Sequence, residues 1–424
     1  MKKKKKICSS WAVFAGCIIL MIFPGGVLPY TTGLFMYPIC DEFGFSVTSY
    51  SVVVTLSSIV NALVSAFLVG FLSKGKRKSM KIIMAVSVAD VCLGFAAQGL
   101  CTQLWQFYLL AILYNIGFNM ITFVPVAMLI SNWFVKKRTL FTGIAMACSN
   151  LGGAAGNAII SQIIAEYGWK NAYIFGGMIS LVMALFAVIF LIKRSPEEYG
   201  EQPYGADEKD ESAKNTSGTW IGITKKAALK QPCFYFLCIV MFLTGIYTTG
   251  VTNHVVTYFC KSGWDITSAG TVMTIFTLAG VAGSSLGGVL LEKVGYTKGV
   301  IWGGIMLVLA IVSLILGRHN PVFAYIFALL LGLSCYMGVL FPSQAVMNTL
   351  GTKDYASLYG LTYSFYLIGA SISVPLIAVI SENIGYIPAW VGIIIAIILI
   401  VALHLKCISA GNKLRKEFNT CNRV

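Results

Sequence analysis

The chain has 424 residues, of which 57% are hydrophobic and 11% are charged, and its formal net charge is +15. A soluble domain carries roughly 25% charged residues, so this composition excludes an ordinary water-soluble protein and indicates a membrane protein. The positive charge would suit nucleic acid as a partner, but all but three of the 31 Lys and Arg residues fall in segments that we assign to one membrane face. This bias indicates orientation rather than nucleic-acid binding, and it places both termini in the cytoplasm.

Apolar stretches of about 18 to 27 residues, each long enough to cross a hydrocarbon core of ~30 Å as a helix, follow one another along the chain. Those of the first half are residues 11–37, 48–72, 80–99, 105–130, 140–164 and 172–192. Those of the second half are residues 233–259, 267–291, 299–317, 322–348, 356–380 and 388–405. The pattern predicts an all-α, multi-pass protein of the cell membrane, with twelve transmembrane helices in two six-helix bundles, residues 1–192 and 232–424.

Residues 193–231 form the one substantial polar segment of the sequence. Their acidic and Lys-rich composition cannot bury a core, so we expect a flexible cytoplasmic linker between the two bundles. Near its end, Thr219-Trp220-Ile221 and the lysines of residues 225–230 would lie on opposite sides of a helix. That arrangement suits a short helix on the inner membrane surface.

Four local patterns of the first half recur in the same order about 217 residues later. The six residues from Gly44 correspond to the six from Gly263, and the four from Glu166 correspond more loosely to the five from Glu382. The remaining pairs are Gly70 with Gly288, Gly143 with Gly360, and Gly152 with Gly369. Such a repeat in an apolar chain is typical of transporters, in which two like halves give alternating access to a central site. We expect Gly143, Gly152, Gly153 and Gly156, with Gly360 and Gly369, to allow close helix approach.

The segment from Gly288 to Lys298, which reads GVLLEKVGYTK, resembles the G-x-x-x-[DE]-[RK]-x-G loop motif of the major facilitator superfamily. The first-half copy keeps Gly70 and the basic residues that follow but lacks the acid. The resemblance implies that superfamily's fold of two six-helix pseudo-repeats and a role in secondary transport. An acid at a helix end that faces basic residues can hold the cytoplasmic side in one conformation, so Glu292 with Lys293 is our candidate latch. Simple orientation charge is the alternative.

Two further segments are similar to the branch of that superfamily that contains oxalate:formate antiporters and monocarboxylate transporters. The first runs from Trp133 through Arg138 to Ala145, and the second comprises the Ser-Pro-Glu-Glu and Pro-Tyr-Gly of the linker with residues 228–234. The resemblance implies an antiporter or symporter of a small organic acid, with Arg138 at the cytoplasmic gate. Members that carry dicarboxylates place basic residues in the eighth and eleventh helices, but residues 267–291 and 356–380 contain no Lys or Arg. A monoanion, a protonated acid or a neutral solute would therefore fit better than a dianion.

Uncharged polar side chains are the candidates for substrate contact, because polar groups within membrane helices are costly unless they pair or face a cavity. The candidates are Tyr30, Thr31, Asn115, Asn119, Tyr247, Asn253, His254, Tyr336, Tyr359, Tyr363 and Tyr366. Pro24-Gly25-Gly26, just before Tyr30, predicts a break that would expose backbone polar groups. Helix packing or a position at the membrane interface is the alternative for each of them.

Asp90 is the one acid deep within a predicted span, nine positions beyond Lys81. A protonatable carboxylate there could couple transport to a proton gradient. A neutral Asp that bonds to a neighbouring helix is the alternative, because third helices in this fold usually lie outside the central cavity.

No paired-carboxylate, Ser/His/Asp, metal-spaced or nucleotide-binding pattern occurs in the sequence, so we predict neither an enzyme nor a cofactor or metal. The expected partners are a small-molecule substrate, protons where transport is proton-coupled, and the lipid bilayer, and we expect a monomer. A proton-coupled transporter or exporter of a neutral solute or drug is the alternative function. A transporter-like receptor is the alternative of a different class.

Overall fold

The computed structural model describes residues 8–67, 77–135, 138–205, 222–339, 341–351 and 353–421. Almost all of these residues are helical, which confirms the all-α fold class. Within these ranges, the one strand-like pairing is an isolated parallel bridge between Phe134 and Tyr204.

The first half consists mainly of helices, which are described from Cys8 onward. They are α1 (Cys8–Ile22), α2 (Leu28–Phe43), α3 (Val47–Phe67), α4 (Arg77–Ala97), α5 (Leu104–Ile121), α6 (Phe123–Trp133) and α7 (Arg138–Phe186). A π-helical turn, Phe23–Val27, joins α1 to α2, and another, Ala187–Leu191, follows α7.

The second half follows the short helix α8 (Lys225–Ala228). Its helices are α9 (Pro232–Lys261), α10 (Ile266–Val294), α11 (Tyr296–Gly317), α12 (Pro321–Leu333), α13 (Tyr336–Val339), α14 (Phe341–Leu350), α15 (Tyr355–Asn383) and α16 (Tyr386–Cys421).

Nine helical stretches of the described residues are long and apolar enough to cross a membrane. One of them, Leu140–Leu191, contains Gly168 at φ 82°, and this non-helical residue divides α7 into two arms. Two further apolar helices, Val47–Asn61 and Pro321–Leu333, are shorter. These helices support a multi-pass membrane protein, while the count of twelve spans stays a prediction.

The chain divides into two compact units. Unit 1 comprises Met1–Ala213 and Trp264–Thr274, and unit 2 comprises Lys214–Gly263 and Ile275–Val424. The first turns of α10 therefore group with unit 1, although the sequence places them in the second predicted bundle. The predicted bundle boundaries at residues 192 and 232 stay a prediction.

A helix N-cap occupies the first repeated pattern in each half. The Ser46 hydroxyl accepts a hydrogen bond from the Ser49 amide at 3.0 Å, and the Asp265 carboxylate accepts one from the Ser268 amide at 2.8 Å. Hydrogen bonds from the side chain and the amide of Ser268 hold the pKa of Asp265 below its usual range. An acceptor at this position satisfies a backbone amide that has no partner within the helix, which explains why the pattern recurs.

The closest helix crossing of unit 1 joins the π-helical turn to α7 through glycines. A Cβ atom on Gly26 would lie 2.5 Å from the Ser149 carbonyl oxygen, and one on Gly152 would overlap the carbonyl oxygen of Ile22. Only glycine lets the two backbones approach this closely, so the expectation for Gly152 is confirmed.

Unit 2 repeats this crossing between α9 and α15. A Cβ atom on Gly245 would overlap the Tyr366 carbonyl oxygen, and one on Gly369 would overlap that of Phe242. Gly369 is the repeat partner of Gly152, so the sequence repeat corresponds to a repeated packing contact. The expectation is wrong for Gly143 and Gly360, since a Cβ atom on either would meet no atom of the described residues within 4 Å.

The two described ends of the predicted linker are held by backbone hydrogen bonds, and the flexible connector between them stays a prediction. In unit 1, the Tyr204 amide donates to the Trp133 carbonyl at 2.8 Å, and the Val135 amide donates to the Tyr204 carbonyl at 3.0 Å. In unit 2, the Ile223 amide donates to the Leu350 carbonyl at 3.1 Å. Trp133 and Leu350 are themselves 217 positions apart, so the two linker ends bind equivalent places in the two halves.

Side chains reinforce both linker ends. The Ser9 hydroxyl donates to the Glu201 carboxylate at 2.8 Å, and Lys193 lies 3.3 Å from the same oxygen. In unit 2, Ala228 is buried against the base of α9. The predicted surface helix is thus the single turn α8, and its Thr219-Trp220-Ile221 part lies outside the described residues.

We predict that Gly152→Ala lowers the thermal stability of the purified protein, because the new methyl group must push α7 away from the Ile22 carbonyl. Overpacking of this kind costs about 1–3 kcal/mol. Gly143→Ala is the matched control on the same helix, and we expect it to be neutral or slightly stabilising, since Ala is the better helix former. Equal melting temperatures for the two variants, measured in detergent, would contradict the proposed crossing.

Candidate functional site

The predicted helix break at Pro24-Gly25-Gly26 is wrong, because these residues form a buried π-helical turn inside one continuous helical span, Ser9–Phe43. Two of the candidate residues follow on α2. The Tyr30 hydroxyl donates to the Asn150 side-chain oxygen on α7 at 2.8 Å. Thr31 is fully buried, and its hydroxyl donates to the Val27 carbonyl at 2.8 Å. Tyr30 therefore joins a polar contact between two helices, whereas Thr31 bonds within its own.

Asn115 and Asn119 lie one turn apart on α5, as predicted, but they have different partners. Asn119 donates to the Asn61 side-chain oxygen on α3 at 2.8 Å. Asn115 is buried and donates to the Ala111 carbonyl of its own helix at 2.7 Å. The sequence analysis missed Asn61 and Asn150, although an Asn within an apolar span is itself a signal of a polar partner.

A row of four neighbouring phenol rings, of which the first and last pairs are stacked and the middle pair is tilted, runs along α15 in unit 2. Ring centroids are 5.6 Å apart between Tyr355 and Tyr359, 5.5 Å between Tyr359 and Tyr363, and 5.1 Å between Tyr363 and Tyr366. The hydroxyl groups of Tyr366 and Thr248 of α9 are 3.3 Å apart. We call these four tyrosines with Thr248 the tyrosine stripe. It brings three predicted residues together and adds Tyr355 and Thr248, which the sequence analysis missed.

Two other candidates in unit 2 connect helices through buried hydrogen bonds. One ring nitrogen of His254, Nε2, lies 2.8 Å from the Val374 carbonyl, and the other, Nδ1, lies 3.2 Å from the Tyr386 hydroxyl. Since a carbonyl can only accept, Nε2 carries the proton and Nδ1 accepts from Tyr386. The Tyr336 hydroxyl donates to the Gly299 carbonyl of α11 at 2.9 Å. These bonds engage the polar atoms of both side chains in helix packing.

The remaining candidates in unit 2 lie on α9. Tyr247 is buried, while Asn253 is partly exposed and donates to the Thr249 carbonyl of its own helix at 2.9 Å. Neither residue shares a hydrogen bond with the tyrosine stripe among the contacts of the described residues.

Asp90 lies at the crossing of α4 and α5. Its side-chain oxygen Oδ2 accepts a hydrogen bond from the Gly117 amide at 3.0 Å. On the same helix, the neighbouring Val86 and Leu93 are 63% and 48% exposed, so Asp90 is close to the outer, apolar surface of unit 1. A bond to a neighbouring helix is thus present, and a role in proton coupling stays a prediction.

The gating residues are described only in part. Gly70 lies outside the described residues, as do the side chains of Arg138 and Glu292. Gly288 and Lys293 belong to the last turns of α10, where Lys293 is exposed. Their role in gating stays a prediction.

A family comparison identifies the architecture to which these features belong. The model of the Major Facilitator Superfamily matches residues 14–372 and 255–419. The chain belongs to the major facilitator superfamily. It is therefore a transporter rather than an enzyme, and a small-molecule substrate follows from the family.

Several curated proteins are similar to this superfamily member. The sialic acid transporter NanX of Escherichia coli is 22% identical over 71% of this chain and 68% of its own. Monocarboxylate transporter 4 of Gallus gallus is 28% identical over 40% of this chain and 35% of its own. The membrane sensor protein UhpC of Escherichia coli is 24% identical over 68% of this chain and 67% of its own. The alignments thus span about one third to two thirds of these relatives.

A solved structure has the same fold. The nucleoside transporter NupG matches with a TM-score of 0.74 at 12% sequence identity, covering 93% of this chain and 99% of that one. At this identity the match establishes the fold alone.

We predict that Asp90→Asn leaves the stability of the protein nearly unchanged, because an amide oxygen can still accept the bond from the Gly117 amide. Asp90→Leu removes the acceptor and should destabilise the protein by about 1–3 kcal/mol, since the Gly117 amide would lose a partner in an apolar setting. A role of Asp90 in proton coupling is measured separately, by uptake into proteoliposomes with and without an imposed pH gradient. If Asp90→Asn abolishes the response to the gradient while stability is kept, Asp90 is a coupling residue rather than a packing residue.

Proposed function

We propose that this superfamily member transports a small monocarboxylic acid by alternating access. The observation that carries the proposal is the tyrosine stripe, which offers a row of aromatic faces and hydroxyl groups with no charged side chain among its members. Phenol and threonine hydroxyls can donate to one carboxylate, but they cannot neutralise a doubly charged substrate.

The distribution of charge supports the choice of a monoanion. The predicted spans 267–291 and 356–380 contain no Lys or Arg. A dianion would lose its hydration there without any cation in return, which costs several kcal/mol per ion. The similarity to monocarboxylate transporter 4 agrees with an acid of single charge, and the similarity to a sialic acid transporter agrees with a larger acid of the same class.

The substrate would contact the hydroxyl groups of the tyrosine stripe. Tyr363 stacks on Tyr366 with an interplanar angle of 12°, so the two rings present parallel faces. An acid with a short hydrocarbon part could lie along these faces while its carboxylate accepts from the hydroxyls. We propose contact roles for Tyr359, Tyr363 and Tyr366 on this basis.

A second candidate function is that of a solute sensor. The chain is similar to the membrane sensor protein UhpC over 68% of its length, and a sensor of this kind would bind solute without needing to carry it. The two functions differ in one measurable property, which is net movement of solute across the membrane.

The test is counterflow in proteoliposomes loaded with unlabelled lactate, pyruvate, formate or oxalate, following entry of the labelled form of the same compound. We expect accumulation with a monocarboxylate and none with oxalate. Solute binding without counterflow would favour the sensor. No response to any of the four acids in folded protein would overturn the acid proposal and make neutral solutes and drugs the next panel.

Substitutions in the stripe make the same test specific to the proposed residues. We expect Tyr363→Phe to raise the half-saturating lactate concentration roughly tenfold, because the ring remains and a hydrogen bond to a charged group is lost. Tyr325→Phe on α12 is the matched control, since this tyrosine is 37% exposed and is not part of the tyrosine stripe. Equal concentration dependence in the two variants would contradict a role for the Tyr363 hydroxyl.

A further inference from the structure

One corner of unit 1, at the end of α2, is closed by an internal ion pair. The Glu42 carboxylate lies 2.6 Å from the Lys170 ammonium and accepts a second hydrogen bond from the Trp169 indole. Two glycines with positive φ, Gly44 and Gly168, turn the chain on either side of the pair. The carboxylate of this corner therefore comes from the chain itself.

Unit 2 has the same corner with different charges. Gly263 and Gly385 take the places of Gly44 and Gly168, again with positive φ. With the register of the repeat, Lys261 stands where unit 1 has Glu42, and Ile387 stands where it has Lys170. Tyr386 takes the place of Trp169, and the Lys261 ammonium lies 6.0 Å from its ring centroid. In unit 2, Lys261 thus replaces the acid of the unit 1 corner, and the apolar Ile387 replaces its lysine.

A cavity of about 210 Å³ is present in the unit 2 corner. Lys261 and Arg318 both line it, together with Ser262, Tyr258 and the first turn of α16. Neither Lys261 nor Arg318 has a carboxylate within ion-pair distance among the residues that the structure describes. Two cations therefore share one cavity, and none of the residues that line it carries a carboxylate.

These charges are unusual for their location. Lys170, Lys261 and Arg318 are the three basic residues that the sequence places on the membrane face opposite the linker, where Lys and Arg are disfavoured. One of them, Lys170, is neutralised by Glu42. The other two converge on the cavity beside aromatic walls, where an anion would gain from both charges and from partial exclusion of water.

We propose that this corner of unit 2 binds an oxyanion, a carboxylate or a phosphate group, in the position that the Glu42 carboxylate occupies in unit 1. Lys261 and Arg318 supply the charge, and the Ser262 hydroxyl lines the same cavity. The anion can come from a dissolved solute or from a lipid headgroup. The proposal does not depend on which solute the protein transports.

The test uses the full-length protein in nanodiscs of phosphatidylcholine, titrated with inorganic phosphate or acetate at constant ionic strength. Hydrogen–deuterium exchange of the backbone amides of residues 384–387 reports on the cavity itself. We expect saturable protection of these amides in the wild type. In nanodiscs that contain phosphatidylglycerol, protection without added solute would identify the lipid headgroup as the source.

Two variants remove the proposed site in different ways. Lys261→Gln with Arg318→Gln removes both charges and should weaken the apparent affinity roughly fivefold or more. Lys261→Glu with Ile387→Lys rebuilds the ion pair of unit 1, so protection should be present without any added anion and should no longer change on titration. Lys298→Gln, an exposed lysine at the start of α11, is the charge control and should behave as the wild type.

Two results would overturn the proposal. One is that the amides are not protected in any nanodisc, and the other is that protection rises with added anion in both double variants as it does in the wild type. Tyr363→Phe separates this site from the proposed transport site. Protection of residues 384–387 that survives in Tyr363→Phe while counterflow is impaired assigns the two effects to different places. Protection that disappears in Tyr363→Phe would mean that the anion binds at the tyrosine stripe, which contradicts the proposal.

Discussion

Backbone contact at glycine is the constraint on which both units depend. At Gly152 and at Gly369, the helix surface lies directly against a carbonyl oxygen of the partner helix. Lipid offers no hydrophobic driving force between helices, so close packing and hydrogen bonds must hold them together. The approach that these glycines permit also brings side chains on both helices into reach. In unit 2 it places Thr248 of α9 beside Tyr366 of α15, which completes the tyrosine stripe.

Several polar side chains within the units pair with uncharged partners. Tyr30 pairs with Asn150, Asn119 with Asn61, and His254 with Val374 and Tyr386. Each bond joins two helices and satisfies groups that would be costly to leave alone in hydrocarbon. The ion pairs Glu42 with Lys170 and Lys193 with Glu201 lie near the ends of helices, whereas Asp90 accepts from an uncharged backbone amide within a predicted span. This division is why we assign a substrate of low charge to the interior and an oxyanion to the outer corner.

The sequence predicts the fold well because the signals are physical and repeated. Span length follows from hydropathy, and the repeat finds Gly152 with Gly369 and the N-caps at Ser46 and Asp265. Hydropathy cannot show whether a polar residue faces a cavity or a neighbouring helix. The sequence predicts His254 and Tyr336 as substrate contacts; in the structure their polar atoms bond to neighbouring helices, and substrate contact stays a prediction. The stripe was identifiable because tyrosines spaced three or four apart share a helix face, whereas Thr248 joins it through a crossing between distant segments.

The linker shows a different limit of sequence reasoning. Its composition indicates a flexible connector, and composition reports what cannot form a core rather than what can bind to one. Tyr204 and Ile223 bind equivalent backbone positions of the two halves through main-chain hydrogen bonds. Such bonds depend on backbone position and leave no mark in the side-chain pattern. Trp133 and Leu350 are 217 positions apart, but they can be recognised as equivalent linker contacts only after the hydrogen bonds are known.

The uncharged interior is tested most directly by calorimetric binding of pyruvate and oxalate to the purified protein at one pH and ionic strength. An uncharged interior predicts that pyruvate binds and that oxalate binds at least about tenfold more weakly, because the second charge finds no cation. It also predicts that Tyr363→Phe weakens pyruvate binding and leaves oxalate unchanged. Tighter binding of oxalate than of pyruvate, with no effect of Tyr363→Phe on either acid, would contradict the account.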